Sequence, residues 1–253
     1  MAKFAVVFGT RPEAIKMAPV VQAMRENPQW ELRVICTGQH REMLDQVLEV
    51  FQIRPDYDLS IMKHGQTLED ITVRVLQGVG AIFRDWRPDL VLVHGDTTTA
   101  FAAALAAFYE RIPIAHVEAG LRTDDLSNPF PEEANRRLTD ALATIHFAPT
   151  EQAADNVRRE VRGSRDIYVT GNTVIDALLA VVRDEYQFRT PALADLDFSC
   201  PVLVVTVHRR ENWGAPLVGI CESLRRIVAE HHCQIVVAMH SNPRLQAVFR
   251  ERL

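Results

Sequence analysis

Short runs rich in β-branched residues alternate along the chain with longer stretches in which apolar residues recur at helical spacing. The runs that predict strands are KFAVVF, LRVICT, LVLVHG, PIAHVE, IHFAP, DIYVTG, PVLVVT and QIVVAM. Helical spacing follows such runs, as at 13–26, 67–86, 98–109 and 133–143. Strands that alternate with helices pair in parallel, and the helices cover both faces of the sheet. The pattern therefore predicts an α/β fold built on doubly wound parallel sheets.

The alternation is interrupted over 186–200, before the last two predicted strands. We predict one Rossmann-like domain over 1–171. Over 172–253 we predict a connecting helix, expected at 172–185, and then the first part of a second Rossmann-like domain. Two parallel strands with one crossover leave an apolar edge and face exposed, so we expect the segment beyond Pro191 to be labile to proteases.

The charges and the cysteines indicate which partners and which cellular compartment to expect. The 253 residues include 28 basic and 33 acidic side chains, a formal charge of -5, spread along the chain without a basic stripe. This distribution argues against nucleic acid or an anionic membrane surface as a partner. The four cysteines show no C-x-x-C spacing, and no apolar run reaches the ~18 residues that a membrane span needs. We therefore expect a cytoplasmic protein without a membrane segment.

Polar and charged residues follow the predicted strands, at the edge of a parallel sheet where ligands bind. The strand ends read GTRPE at 9–13, GDTTT at 95–99, HVEAGLR at 116–122, TGNT at 170–173 and TVHRREN at 206–212. The first has a single glycine where a dinucleotide-binding turn needs G-x-G-x-x-G, and neither a P-loop nor a G-x-S-x-G motif is present. Nicotinamide dehydrogenase, P-loop hydrolase and α/β-hydrolase chemistry are therefore disfavoured.

Several of these residues also have a purely structural interpretation. Thr10 and Glu13 fit a capping box, which leaves only Arg11 unexplained at the start of that helix. Asp96 could cap the helix that begins in the threonines. Glu132 could pair with Arg136 at i+4 on a helix with an acidic first turn. Two further residues, Glu118 and His208, directly follow apolar strands, where a buried charge is costly without a function.

Seven motifs, in order, resemble the non-hydrolysing UDP-N-acetylglucosamine 2-epimerases of bacteria. They are FGTRPEAIKMAP, TGQHREMLDQVL, VHGDTTTAFAAALAAFY, HVEAGLRT, FPEEANRRLTD, VTGNTVIDALL and VHRRENWG. The resemblance extends from Met1 to the end of the chain. It implies two Rossmann-like domains in the glycosyltransferase-B arrangement, the second incomplete here because the family's chains continue beyond Leu253. It also implies no metal and no other cofactor.

The resemblance implies reversible epimerisation at C2 of UDP-N-acetylglucosamine, which feeds surface polysaccharide synthesis. In the family, UDP is eliminated to give 2-acetamidoglucal and is then added back. The implied catalytic residues are Asp96, Glu118, Glu132 and His208, and the implied substrate-binding residues are Arg11, Lys16 and Arg136. Acid/base work on two faces of one carbon needs more than one carboxylate. We expect three converging acids to raise the pKa of the base.

Some family members bind a second UDP-N-acetylglucosamine as an activator. The corresponding positions here are Gln39, Glu132, Arg209 and His240. Glu42 and Gly65 stand where glutamine and arginine are typical, which predicts weaker activator binding. The expected partners are the substrate, UDP and a second copy of the chain in a homodimer.

Two other interpretations remain open from the sequence. The 253-residue chain could be a catalytically inactive N-terminal fragment that binds ligand or dimerises. Alternatively, the protein could be a glycosyltransferase of the same architecture, which GTRPE, GDTTT and HVEAGLR together disfavour.

Overall fold

The computed structural model describes residues 1–38, 41–63, 65–163, 166–207, 212–239 and 242–253, with backbone only for 41–43. The described residues divide into two compact units, Met1–Val182 and Arg183–Leu253. Each unit is an α/β unit with parallel strands, so the α/β fold predicted from the sequence is confirmed.

The first unit contains seven strands, which form one sheet. They are β1 (Ala2–Phe8), β2 (Trp30–Cys36), β3 (Tyr57–Asp58), β4 (Leu90–His94), β5 (Ile114–Val117), β6 (Ile145–Ala148) and β7 (Asp166–Val169). Its helices are α1 (Arg11–Arg25), α2 (Arg41–Val50), α3 (Leu68–Trp86), α4 (Thr98–Tyr109), α5 (Glu132–Leu142), α6 (Glu151–Glu160) and α7 (Thr173–Val181).

The strand order in this sheet is β3-β2-β1-β4-β5-β6-β7, and every pairing is parallel. Strands β2 and β3 are added in turn on one side of β1. Strand β4 then pairs with the other side of β1, and β5, β6 and β7 follow it in that direction. This is a doubly wound sheet, and its topological switch point lies between β1 and β4. Ligands of such folds bind beyond the carboxyl ends of the strands at this point.

The central strands are buried on both faces, which explains their continuous apolar runs. In β1, Ala5 and Val7 pack with α3 and α4 on one face, while Val6 and Phe8 pack with α1 and α2 on the other. All four side chains are fully buried. The two-residue strand β3 was not predicted, since so short a segment carries no periodicity.

Three threonines determine where helices of this unit begin. The Oγ1 atoms of Thr67, Thr97 and Thr150 accept the backbone N–H of the residue three positions later, in α3, α4 and α6. Satisfying one otherwise unpaired N–H at each helix start stabilises the helix by about 1 kcal/mol. The described helices include none that is both long and apolar enough to cross a membrane.

Helix α7 belongs to the first unit, which extends to Val182, whereas the sequence placed a domain boundary after residue 171. Its N-cap is Asn172, and its Ala177 is buried in the same cluster as the residues of α1. The helix predicted at 172–185 is therefore present but shorter, and it packs on the first unit.

The second unit contains β8 (Val202–Thr206) and β9 (Gln234–Ala238), which pair in parallel, with helices α8 (Pro191–Ala194), α9 (Ala215–Glu230) and α10 (Pro243–Arg252). Leu217, Cys221 and Phe249 are at the centre of its small core. Leu203 and Val204 of β8 are 40% and 74% exposed. An exposed apolar strand is the expectation for a sheet of two strands.

Candidate active site

The turn between β1 and α1 is held by a buried carboxylate. Glu13 is 1% exposed, and its Oε2 accepts hydrogen bonds from the backbone N–H of Gly9 and Thr10, at 3.1 and 2.7 Å. Its Oε1 accepts from Thr97 Oγ1 at 2.7 Å. Burial raises the pKa of Glu13, against the hydrogen bonds that lower it. The capping role predicted for Glu13 is thus present, and the same side chain also joins the turns after β1 and β4.

Gly9 is required where β1 meets its neighbours. A Cβ atom at this position would lie 2.1 Å from Thr37 Oγ1 and 2.6 Å from Thr99 Oγ1. Both threonines are fully buried, so neither can move away without disturbing the core. The single glycine of the first strand end therefore has a packing role, and it brings the ends of β1 and β2 close to the start of α4.

Glu118 lies at the carboxyl end of β5 in the left-handed conformation, with φ of 65°. Its Oε1 accepts hydrogen bonds from Lys16 Nζ of α1 at 2.5 Å and from Asn172 Nδ2 at 2.8 Å. The Lys16 and Glu118 side chains are only 23% and 11% exposed. The sequence predicted both residues for the site, and the structure places them in direct contact.

The electrostatics of Glu118 differ from the expectation that converging acids would raise its pKa. Burial acts in that direction, but His94, the Lys16 ammonium and the Asn172 amide outweigh it, and the pKa of Glu118 lies below its usual value. The expectation of a raised pKa is therefore wrong for Glu118, because its near neighbours are a histidine, an ammonium and an amide and not acids. Glu118 is a carboxylate at neutral pH.

His94 is the last residue of β4 and is 3% exposed. Its Nε2 lies 3.6 Å from Glu118 Oε2, beyond hydrogen-bonding distance, and has no hydrogen-bond partner within the described ranges. Burial lowers the pKa of His94 to about 4, so the imidazole is neutral at neutral pH.

A second carboxylate–cation pair lies on the neighbouring loop. One terminal nitrogen of Arg136, in α5, donates to Asp96 Oδ2. The other donates to Glu133 Oε2 at 2.9 Å. The i+4 pairing of Arg136 with Glu132 that the sequence suggested is therefore wrong. Thr97, and not Asp96, caps α4, so the capping role suggested for Asp96 is wrong.

A buried network of hydrogen bonds, centred on His116 and Asp140, contacts the turns that follow β4 and β5. His116 of β5 makes two contacts, Nδ1 with Asp140 Oδ1 at 2.6 Å and Nε2 with Gly95 O at 2.7 Å. Asp140 Oδ2 also accepts from Arg122 at 2.8 Å and from the backbone N–H of Gly120 at 3.2 Å. Burial acts to raise the pKa of Asp140, but His116 and Arg122 outweigh it and hold that pKa below its usual value.

The sequence of the chain matches a known family. A family model described as UDP-N-acetylglucosamine 2-epimerase matches residues 22–253. The chain belongs to the UDP-N-acetylglucosamine 2-epimerase family. The UDP-N-acetylglucosamine 2-epimerase of Salmonella typhimurium is 54% identical over 249 residues, which are 95% of this chain and 66% of that protein. This chain spans about two thirds of the length of the curated relatives that it matches.

Solved structures of the epimerase family share the fold. The UDP-GlcNAc 2-epimerase from Neisseria meningitidis, crystallised with UDP-GlcNAc, has a TM-score of 0.86 at 45% identity over 99% of this chain and 69% of that one. The UDP-GlcNAc 2-epimerase from Methanocaldococcus jannaschii, crystallised with UDP-GlcNAc and UDP, has a TM-score of 0.73 at 32% identity over 98% of this chain and 68% of that one.

The other predicted site residues divide into two groups. Arg11 is exposed at the start of α1 and Glu132 is half-buried at the start of α5, and neither has an ion pair or hydrogen bond within the described part of the chain. The remaining predictions lie outside the described residues: His208 for catalysis and Gln39, Arg209 and His240 for activator binding. The roles of all these residues in an epimerase remain predictions. In the described ranges, no three His, Cys, Asp or Glu side chains are grouped as a metal site requires.

Three residues of this site were missed by sequence reasoning. His94 precedes Gly95-Asp96 at the end of an apolar strand, the same signal that identified Glu118. Asn172 lies in the TGNT strand end but was interpreted only as part of the connecting helix. Glu133 adjoins Glu132, and only its complete burial and its ion pairs with Arg136 and Arg137 distinguish the two.

Proposed function

We propose that the protein that carries this sequence interconverts UDP-N-acetylglucosamine and UDP-N-acetylmannosamine. Family membership supports the proposal, as do the ligands in the Neisseria and Methanocaldococcus structures. The observation that carries it is the Lys16–Glu118 pair, a charged carboxylate held at the carboxyl edge of the sheet beside the topological switch point. Ligands of doubly wound folds bind at that edge.

The chemistry of the sugar explains why such a carboxylate is needed. C2 carries an acetamido group and has no neighbouring carbonyl, so its proton cannot be removed by simple enolisation. Loss of UDP from C1 offers a route: the C2–H bond breaks, its electrons form the C1=C2 double bond, and the C1–O bond to UDP breaks. Glu118, ionised at neutral pH, is suited to accept the C2 proton.

The leaving diphosphate requires positive charge, and Arg11 is suited to provide it. Its guanidinium is exposed in the first turn of α1, where the helix dipole also favours an anion. An arginine fork can bind two phosphate oxygens at once. Lys16 and Arg136 already hold Glu118 and Asp96, so in the absence of ligand their charges orient the carboxylates.

Re-addition needs a proton from the opposite face of C2. We assign this role to Asp96 and Glu132, which lie on a different loop and helix from Glu118. The carboxylate that donates must first take up a proton from solvent, and it returns to its charged form when that proton passes to C2. The proposal also includes His208 as a fourth catalytic group, a homodimer as the assembly, the cytoplasm as the compartment, and surface polysaccharide synthesis as the destination of the product.

Two isotope measurements on one reaction test the proposal. During turnover in D₂O, deuterium should enter C2 of the sugar. Oxygen label should also move between the bridging and non-bridging positions of the diphosphate, because free UDP can rotate before it adds back. Deuterium entry without oxygen scrambling over many turnovers would contradict elimination. Conversion of neither sugar nucleotide would contradict the epimerase assignment itself.

A further inference from the structure

The two oxygens of Glu118 have different surroundings. Oε1 accepts from the Lys16 ammonium and the Asn172 amide, at 2.5 and 2.8 Å. Oε2 accepts no hydrogen bond from the described residues, and the nearest polar side-chain atom given for it is His94 Nε2 at 3.6 Å. A carboxylate oxygen that already has two strong donors has little capacity left for a proton. Oε2 is therefore the oxygen that can exchange one.

His94 has an unsatisfied atom that faces this oxygen. Its Nε2 is buried and has no hydrogen-bond partner in the described ranges. Buried polar atoms in native proteins are almost always paired, because an unpaired one forfeits its hydrogen bonds to water. Packing alone does not explain such an atom. The neighbouring buried histidine, His116, shows the structural alternative, since both of its ring nitrogens have close partners.

The charge state of His94 suits a carboxylate that must accept protons. Three groups face its ring: Glu118 after β5, Lys16 from α1 and His116 within β5. On its own loop, Asp96 is paired with Arg136 of α5. Burial is the main reason that the pKa of His94 falls to about 4, and Lys16 and His116 add to the effect. A neutral N–H donor can orient Oε2 without the second positive charge that would make Glu118 a weaker base.

We propose that His94 is a positioning residue for Glu118, with a neutral Nε2–H directed at Oε2 so that this oxygen faces the proton it must accept. The inference rests on the proposed function. In the chemical step the proton passes from C2 to Oε2 and the C2 electrons expel UDP from C1, while His94 neither gains nor loses a proton. A small rotation of the carboxylate closes the 3.6 Å gap to hydrogen-bonding distance.

Two substitutions separate the donor from the volume of the ring. His94→Phe keeps a ring but removes the donor, whereas His94→Gln keeps an N–H near the position of Nε2. In His94→Phe we expect kcat to fall roughly tenfold with little change in KM. The acid limb of its pH–kcat profile should move to higher pH, because Glu118 loses a donor that favours its charged form. His94→Gln should retain most of the turnover and the original profile.

A second measurement needs no turnover. In nitrogen-15 spectra of the histidine side chains at neutral pH, Nε2 of His94 should carry the proton. Its shift should move in Glu118→Gln, while the shifts of His116 stay unchanged. An unprotonated Nε2, or a resonance insensitive to Glu118→Gln, would overturn the inference even if the protein proves to be an epimerase. Equal kcat and equal pH profiles for His94→Phe and His94→Gln would overturn it as well. If no epimerisation is found, the spectra still decide the His94–Glu118 contact.

Discussion

Two histidine–carboxylate pairs lie near the carboxyl edge of the first sheet, and they differ in how completely their hydrogen bonds are formed. In the His116–Asp140 pair the contact is 2.6 Å, and every polar atom of both side chains has a partner. In the His94–Glu118 pair the separation is 3.6 Å, and His94 Nε2 has no hydrogen-bond partner among the described residues.

Under the proposed function, the complete pair would have a structural role and the incomplete pair a catalytic one. A complete network resists change, because removing any member leaves a buried charge unpaired. An incomplete one retains an oxygen that can accept another proton. The two pairs are joined through Gly95, whose carbonyl accepts from His116 and whose neighbours along the chain are His94 and Asp96. The complete pair therefore positions the loop on which the incomplete pair depends.

The largest expected effect is on stability, in Asp140→Asn. Loss of this carboxylate leaves the buried His116 and Arg122 without their shared anion, so the free energy of unfolding should fall by about 3–5 kcal/mol. Urea unfolding followed by circular dichroism measures it. Asp155→Asn is the control, because Asp155 belongs to an exposed pair with Arg158 and should change stability by less than about 1 kcal/mol. Equal losses of unfolding free energy in the two variants would contradict a stabilising role for the buried His116–Asp140 pair.

The next effect is a loss of stability in acid that depends on His94. The folded-state pKa of His94 is about 4, while an unfolded histidine has a pKa of about 6.5. The unfolded chain therefore takes up the proton first as the pH falls. The stability present above about pH 6.5 is lost towards pH 4, a total of about 3 kcal/mol. His94→Gln should lack this component. Burial also lowers the pKa of His146, which adds to the acid dependence of both proteins and cancels in their difference.

Unfolding free energies of wild type and His94→Gln, measured at several pH values between 4 and 7, provide the comparison. Parallel pH dependences would show that His94 titrates normally in the folded protein. The conclusion that His94 is neutral in the folded protein at neutral pH would then be wrong.

Turnover should depend on the incomplete pair. Glu118→Gln in the protein that carries this sequence should lower kcat roughly 10²-fold or more, in line with the loss of a general base, with little change in substrate affinity. Glu110→Gln is a suitable control, since Glu110 pairs with Arg84 at the C-terminal end of α4, whereas the helix begins beside Asp96. Steady-state kinetics measure both variants. A near-normal kcat for Glu118→Gln would exclude Glu118 from the mechanism.

The smallest effect is expected from Asn172→Ala. This change removes the cap of α7, worth about 1 kcal/mol of stability, and removes one donor from Glu118. The pKa of Glu118 should rise, and the acid limb of the kcat profile with it. Asn242→Ala removes the corresponding cap of α10 in the second unit and should leave that limb unchanged. If both variants have the wild-type profile, the Asn172 amide does not influence Glu118.

The backbone framework of this site could be predicted from the sequence, because strand ends follow from local patterns. The runs before Gly9, Gly95 and Glu118 identified three strands whose carboxyl ends meet at one edge. The side-chain pairings could not be predicted in this way. Lys16 and Glu118 are 102 positions apart, and Glu118 has a left-handed backbone conformation that no local pattern predicts. The pKa direction of Glu118 was missed for the same reason, since it depends on which donors surround the carboxylate.

Asn172 has a further consequence, which concerns thermodynamic linkage. One amide side chain accepts the N–H of Val174 at the start of α7 and donates to Glu118. Protonation of Glu118 weakens the second bond and with it the orientation that supports the first. Because linkage is reciprocal, fraying of the first turn of α7 must raise the proton affinity of Glu118 by the same coupling free energy. Helix α7 ends at Val181, and Val182 is the last residue of the first unit. The protonation state of Glu118 is thus coupled to the order of the helix that ends the first unit.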